Sequence, residues 1–312
     1  MNWRRTRAAV GVEALLVVIS SCNGESVAGS PGGPGGVRVF WVTLGAWDAQ
    51  GVGAVVVGER RSIVGGNWKM NTDLAAAVEL ADNVVAGCQA LLSECDVAVF
   101  PPFPYLQAVG RALGNHGLLL GAQDVYHQPN GAYTGEVSSA MLLDLNVQIV
   151  LVGHSERRHV IGEDNELVNT KVRASLESGL HVILCIGETL EQRQAGRTNQ
   201  VNVAQLVAGL QGVGTEQMRQ VTVAYEPVWA IGTGQTATPR DAVAVHRVVR
   251  RTIADLYDED TAGSVRIQYG GSVTASNAAD LFAEPEIDGA LVGGASLEAD
   301  QFMGIVRAAV ES

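Results

Sequence analysis

Ala224-Tyr225-Glu226-Pro227-Val228-Trp229-Ala230-Ile231-Gly232-Thr233-Gly234 puts a carboxylate at the end of one apolar run and at the mouth of another. Val221, Val223 and Tyr225 alternate ahead of Glu226, which is a strand pattern. Pro227 fixes the backbone beside the carboxylate. Val228, Trp229 and Ile231 are costly to leave in water, so the segment needs something to pack on. Gly232 and Gly234 supply backbone freedom at its far end. The stretch suits a base in a dry pocket with a loop that closes over it. Whether its strand stands alone or in a series decides the fold.

It stands in a series. From Ser62 onward, short apolar runs alternate with longer amphipathic stretches: Ser62–Gly66, Asp96–Phe100, Leu118–Gly121, Ile149–Gly153, His181–Ile186, Val221–Tyr225, Val265–Tyr269 and Gly289–Val292. Continuous apolar runs fit parallel strands buried on both faces. Between them, Leu74, Val78, Ala81, Val85, Cys88 and Leu92 mark one helix face, and Ala242, Val245, Val249, Ile253 and Leu256 another. The second helix has a complete start: Thr238 to cap, Pro239 at the first position and Asp241 near the positive end of the dipole. Repeated strand–helix units need right-handed crossovers and a parallel sheet. Eight of them over residues 62–312 match the roughly 250 residues of a (β/α)8 barrel. An open doubly wound sheet is the alternative, but no Gly-x-Gly-x-x-Gly follows the first strand.

A barrel carries its chemistry on the loops after the strands. Asn67, Trp68 and Lys69 follow the first strand, and His154, Ser155, Glu156 and Arg157 the fourth. Glu226 follows the sixth, Gly270, Gly271 and Ser272 the seventh, and Gly293 and Gly294 the eighth. Singly, each has a plain structural explanation: a satisfied histidine, a solvated lysine, a glycine turn. Their coincidence at one rim favours a functional site.

The chain has 312 residues, 47% of them hydrophobic, which is a globular composition. A net charge of −12 argues against nucleic acid as partner. It leaves room for a small anion held by local lysines and helix N-termini. The four cysteines, Cys22, Cys88, Cys95 and Cys185, form no CxxC pair and no zinc spacing, so they read as reduced thiols. Cys185 reads as a small buried hydrophobe.

Residues 1–61 differ from the rest. Arg4, Arg5 and Arg7 precede an apolar run broken by Glu13, with Cys22 placed as in a lipoprotein signal. Ser30-Pro31-Gly32-Gly33-Pro34-Gly35-Gly36 is low-complexity. Three origins are open: a gene-start artefact with true initiation near Val57, an export or anchor signal within residues 1–22, and a disordered appendage. The expectation is an extension outside the enzyme domain and a cytoplasmic protein, with no membrane contact unless the leader is a real signal.

Gly66-Asn67-Trp68-Lys69-Met70, Gly153-His154-Ser155-Glu156-Arg157-Arg158, the Ala224–Gly234 stretch, Tyr269-Gly270-Gly271-Ser272-Val273 and Gly293-Gly294-Ala295-Ser296-Leu297 together resemble the triosephosphate isomerase family, in order and spacing, over residues 62 to about 310. The resemblance implies a TIM barrel that interconverts dihydroxyacetone phosphate and D-glyceraldehyde 3-phosphate through an enediolate, in glycolysis and gluconeogenesis, with no cofactor and no metal. It implies Glu226 as base and His154 as hydrogen-bond donor to the developing oxyanion. The short segment Ser155–Val160 is expected to be helical, and a helix N-terminus favours a neutral ring. Lys69 and Asn67 are expected to stabilise the enediolate and bind substrate. Gly232, Ser272, Gly293 and Gly294 are expected to surround the phosphate. Glu156 either orients Lys69 through an ion pair or takes part in proton shuttling. The long segment Gln123–Val137 is implied to enter a second subunit, with Thr134 near its Asn67 and Lys69, giving a homodimer. Two other functions compete with this one: another phosphosugar barrel isomerase, which the lid sequence disfavours, and an exported binding protein that keeps the barrel.

Overall fold

The computed structural model describes residues 60–231 and 237–312. Eight parallel strands form a closed barrel in sequence order: β1 Ser62–Asn67, β2 Cys95–Phe100, β3 Leu119–Ala122, β4 Ile149–Val152, β5 His181–Ile186, β6 Val221–Tyr225, β7 Arg266–Tyr269 and β8 Gly289–Val292. The expected barrel is therefore present, with strand ends shifted by a residue at β1 to β4 and at β7. The doubly wound alternative fails because β1 pairs with both β2 and β8.

Closure depends on that last pairing. Ile63 stands opposite Gly289, whose φ is +138°. A Cβ on Gly289 would collide with the Ile63 carbonyl. Asp288, one residue earlier, ties the seam from beneath. Its carboxylate accepts from Arg60 Nε at 2.6 Å, Arg250 Nη2 at 2.9 Å and the Ile267 amide at 2.8 Å. Its backbone links Ile63 to Ile267. Arg60 lies just outside the expected domain start, yet its guanidinium also reaches the Gly263 and Pro285 carbonyls.

Two apolar layers hold the strands. The barrel interior is filled by Ile63, Phe100, Ile149, Leu151, Ile183, Cys185 and Leu291 among others. Gly65 and Gly121 make room for the Phe100 ring, which a Cβ on either would touch or overlap. The outer layer packs strands against helices. The helix Leu74–Cys88 begins at an Asp73 cap and buries Ala77, Leu80, Ala81, Val84, Val85 and Cys88. Ala81, Val85 and Cys88 are buried as expected, the buried face extends to Ala77, Leu80 and Val84, and the helix stops before Leu92. Leu74, in the first turn, is 55% exposed. The helix Pro239–Leu256 has the expected start, with Thr238 and Asp241 in a reciprocal capping box. Cys88, Cys95 and Cys185 are free and buried, and burial raises the first two thiols to about 12. Cys22 lies outside the described residues.

His246, on the helix Pro239–Leu256, is fully buried against the Tyr225 ring. Its Nδ1 lies 2.9 Å from the Glu286 carbonyl and its Nε2 has no partner. Burial lowers its pKa from 6.5 to about 4. The unfolded chain thus binds the extra proton between those values. Stability is complete above 6.5 and drains as pH falls towards 4, by about 3 kcal/mol from this group. His246→Asn keeps a donor for the carbonyl and removes the titration. In urea unfolding between pH 7 and pH 4 it should show correspondingly less acid destabilisation; an unchanged slope would exclude His246 as a source.

Candidate active site

Glu226 leaves β6 at the barrel rim and is 2% exposed. Its amide donates to the Ile186 carbonyl at the end of β5. The carboxylate crosses to the loop after β4. One oxygen lies 2.9 Å from His154 Nε2, and the other accepts from the Ser155 amide at 2.8 Å. The Ser155–Ile161 segment is helical, passing into a π-helical turn at Arg157–Ile161. The acid and the imidazole therefore meet at a helix start, where amides point outward and negative charge is favoured.

The ring has two opposed influences. The Glu156 amide donates to His154 Nδ1 at 3.3 Å, so that nitrogen presents its lone pair and Nε2 carries the proton. Burial also resists charge on the ring. Glu226 and Glu156 pull the other way, and the net effect is a pKa above 6.5. The rise opposes the helix start's preference for a neutral ring, while Nδ1 as an acceptor belongs to the neutral form. The source of the rise is the direct contact with Glu226, which the linear sequence does not reveal.

Lys69 and Asn67 stand beside this pair at the end of β1. Lys69 has φ +53°, the left-handed region that non-glycine residues rarely occupy. Two side chains hold it there. Asn67 Oδ1 accepts its amide at 3.0 Å, and Gln123 Nε2 donates to its carbonyl at 2.8 Å. Lys69 Nζ pairs with Glu156 at 2.7 Å. Gly293 follows β8 so closely that an added Cβ would lie 3.3 Å from Lys69 Cε, whereas a Cβ on Gly294 meets nothing. Ser272 Oγ donates to the Ala230 carbonyl at 2.8 Å, linking the β7 loop to the segment after Glu226. Asn67, Lys69, His154, Glu156, Glu226, Ser272, Gly293 and Gly294 thus all fall at strand ends or on the loops after them, at one rim. Gly232 lies outside the described residues. Thr134 is exposed. The base of its loop is closed by the Tyr126 amide donating to the Val137 carbonyl.

The structure adds residues that the sequence reading passed over. Glu188 follows β5 and is fully buried. It accepts from Tyr225 Oη at 3.1 Å, Trp229 Nε1 at 2.9 Å and Asn202 Nδ2 at 3.0 Å. The Arg193 guanidinium sits 4.2 Å over the Trp229 ring. Glu188 therefore fastens the start of the segment after Glu226 to β5 and β6. Searching every strand end, β5 included, finds it.

A family model described as triosephosphate isomerase matches residues 62–309. The chain belongs to the triosephosphate isomerase family. The triosephosphate isomerase of Chlorobium phaeobacteroides (strain BS1) is 50% identical over 250 residues, covering 80% of this chain and 99% of the relative. That of Prosthecochloris aestuarii is 49% identical over 253 residues, 81% and 100% of the two chains. That of Roseiflexus castenholzii is 50% identical over 248 residues, 80% and 97%. The chain is an isomerase, and the reaction of its family is the glycolytic interconversion of dihydroxyacetone phosphate and glyceraldehyde 3-phosphate.

Gly270, at the end of β7, lies against Glu226. An added Cβ would be 2.8 Å from Glu226 Cγ and 3.2 Å from the Tyr225 carbonyl. Gly270→Ala should fold, because the backbone there needs no left-handed φ, but it should displace the carboxylate. A loss of about 10²-fold in kcat is expected in a coupled isomerase assay; wild-type turnover would show that β7 does not confine the side chain.

Proposed function

We propose that Glu226 is the base of the isomerisation and removes a proton from the carbon beside the substrate carbonyl. The observation that carries this is the contact of Glu226 with both His154 Nε2 and the Ser155 amide in a buried setting. Those bonds engage both carboxylate oxygens, and in this reading the carboxylate turns from them to substrate as the reaction begins. That turn removes its pull on the imidazole. The Glu156 amide on Nδ1 remains, and the Nε2 proton is free to hydrogen-bond the oxygen on which charge develops. A donor aimed at that oxygen stabilises the enediolate more than the ground state, the condition for acceleration.

Lys69 adds fixed positive charge at the same place. Its 2.7 Å pairing with Glu156 supports the orienting role for Glu156 over proton shuttling. Asn67 spends its oxygen on the Lys69 amide, leaving its NH2 group for substrate. The phosphate is assigned to the backbone amides of Gly232, Gly293 and Gly294 and to Ser272, with little side-chain bulk in the way. The segment Pro227–Gly234 acts as a lid. Its start is anchored by Glu188 and Ser272, and the closed lid keeps water from the enediolate phosphate.

The enzyme unit is residues 62–312 together with Arg60 and with Arg61, whose guanidinium pairs with Asp96 at 2.8 Å. It works as a homodimer. Met70 is 95% exposed, Val160 78%, Ile161 63%, Met141 50% and Tyr133 41%. These apolar side chains lie on or near the loops that carry Lys69, His154 and Thr134, and a second subunit would cover them. Thr134 then reaches the partner's Asn67 and Lys69 region. The working compartment is the cytoplasm; no helix among the described residues is long and apolar enough to cross a membrane. The leader is dispensable for catalysis. Equal activity of the full chain and one starting at Val57 is expected, with export instead signalled by lipidation at Cys22.

Glu226→Gln should lose turnover by about 10²–10⁴-fold or more with the fold and phosphate affinity kept; near-normal turnover would remove Glu226 from the role. His154→Ala should lower kcat more than it raises KM, and a pure KM effect would refute the donor assignment. Sedimentation at assay concentration should give a dimer, and a fully active monomer would sink the subunit proposal.

A further inference from the structure

Arg158 lies four residues after His154 and is partly buried. Its guanidinium spans three acceptors on three elements. Nε donates to the Gly153 carbonyl at 2.7 Å, Nη2 to the Cys185 carbonyl at 3.1 Å and Nη1 to Asn165 Oδ1 at 2.8 Å. Its own amide donates to the His154 carbonyl at 3.0 Å. Among the described residues no carboxylate lies within 4.0 Å of it. A charge withdrawn even partly from water needs compensating partners. Here the charge is held by backbone carbonyls and one amide instead.

The choice of carbonyls is informative. Gly153 immediately precedes His154. Cys185 immediately precedes Ile186, whose carbonyl receives the Glu226 amide at 2.7 Å. One rigid fork therefore grips the end of β4, which carries the imidazole, and the end of β5, on which the start of the Glu226 loop rests. Gly153 is shaped for it: φ is +74°, and a Cβ there would lie 2.8 Å from Arg158 Nη2. Arg158 lies in the π-helical turn Arg157–Ile161, and its side chain folds back to the Gly153 carbonyl. Burial draws the guanidinium pKa below its ordinary value, and the negative charges of Glu226 and Glu163 offset part of that effect. An arginine stays protonated through such a shift.

We infer that Arg158 is a positioning residue for the isomerisation: it sets the spacing of His154 and Glu226 by fastening the ends of β4 and β5 together. It touches no reacting atom and acts through the two strand ends. A lysine keeps the charge but cannot span three acceptors in one plane. The inference rests on the roles proposed for Glu226 and His154.

The test is steady-state kinetics of the full chain as Arg158→Ala and Arg158→Lys, with Glu226→Gln assayed alongside and folding checked by circular dichroism. Arg158→Ala should lose about 10- to 100-fold in kcat, the cost of a misplacement near 1 Å, with KM changed less than about threefold. Arg158→Lys should recover only part of the loss. A purely structural arginine would lower melting temperature and leave kcat per folded molecule intact, and that result overturns the proposal. So does a rise in KM that accounts for the whole loss. If Arg158→Ala does not fold, Arg158→Lys decides: the same split at smaller size supports the role, and parental kcat refutes it. Glu226→Gln separates the two levels, because an active Glu226→Gln enzyme removes the underlying assignment, whereas an inactive one beside unaffected Arg158 variants removes the positioning role alone.

Discussion

The pairing of β8 with β1 is the constraint on which the rest depends. A parallel sheet of eight strands has two unpaired edges unless it closes, and here closure passes through Gly289 opposite Ile63 with Asp288 fastening both neighbours. Closure brings all strand ends to one rim. Lys69, at the end of β1, is thereby beside Gly293, at the end of β8, although 224 positions separate them in the chain. Positive charge from the first unit and glycine backbone from the last lie side by side only because the seam is shut. The two faces divide the labour expected of this architecture: ionic fastening below, chemistry above.

Within the rim, burial and hydrogen bonding act together. Glu226 is an almost fully buried carboxylate, a state tolerable only with good partners. Its partners are the Ser155 amide and His154, both from the loop after β4. The same loop carries Glu156 to Lys69 and Arg158 back to β4 and β5. Strands 1, 4, 5 and 6 are thus coupled through side chains as well as through the sheet. A second buried set lies next to it. Lys171, only 2% exposed, pairs with Asp124 and Glu163 at 2.6 and 2.5 Å, and Arg157 pairs with the same two carboxylates. Removing one member would strand a buried charge, so this network stiffens the helical turn from its other side.

The architecture was legible because buried parallel strands leave continuous apolar runs, and β5, β6 and β8 were read to the residue. Boundaries at β1 to β4 and β7 slipped because strand ends are decided by pairing partners distant in sequence. The site was legible wherever a polar residue directly followed an apolar run, as with Asn67, His154 and Glu226. It was less so where function passes through an indirect contact. Glu188 follows β5 like the others, but its importance lies in bonds to Tyr225 and Trp229, some forty positions later. Arg158 stood within a quoted motif, yet its partners are carbonyls, which leave no mark in a sequence. The raised His154 pKa depends on a partner 72 positions downstream.

Lys69 is held in its left-handed backbone conformation by Asn67 on one side and Gln123 on the other, while its ammonium group rests on an exposed carboxylate. The strained part of the residue is locked and the charged tip is not. An arriving anion can exchange with Glu156 for the ammonium by rotation about the side-chain bonds alone. In the role proposed for Lys69, the cation can then follow a moving negative charge without disturbing the backbone that supports it.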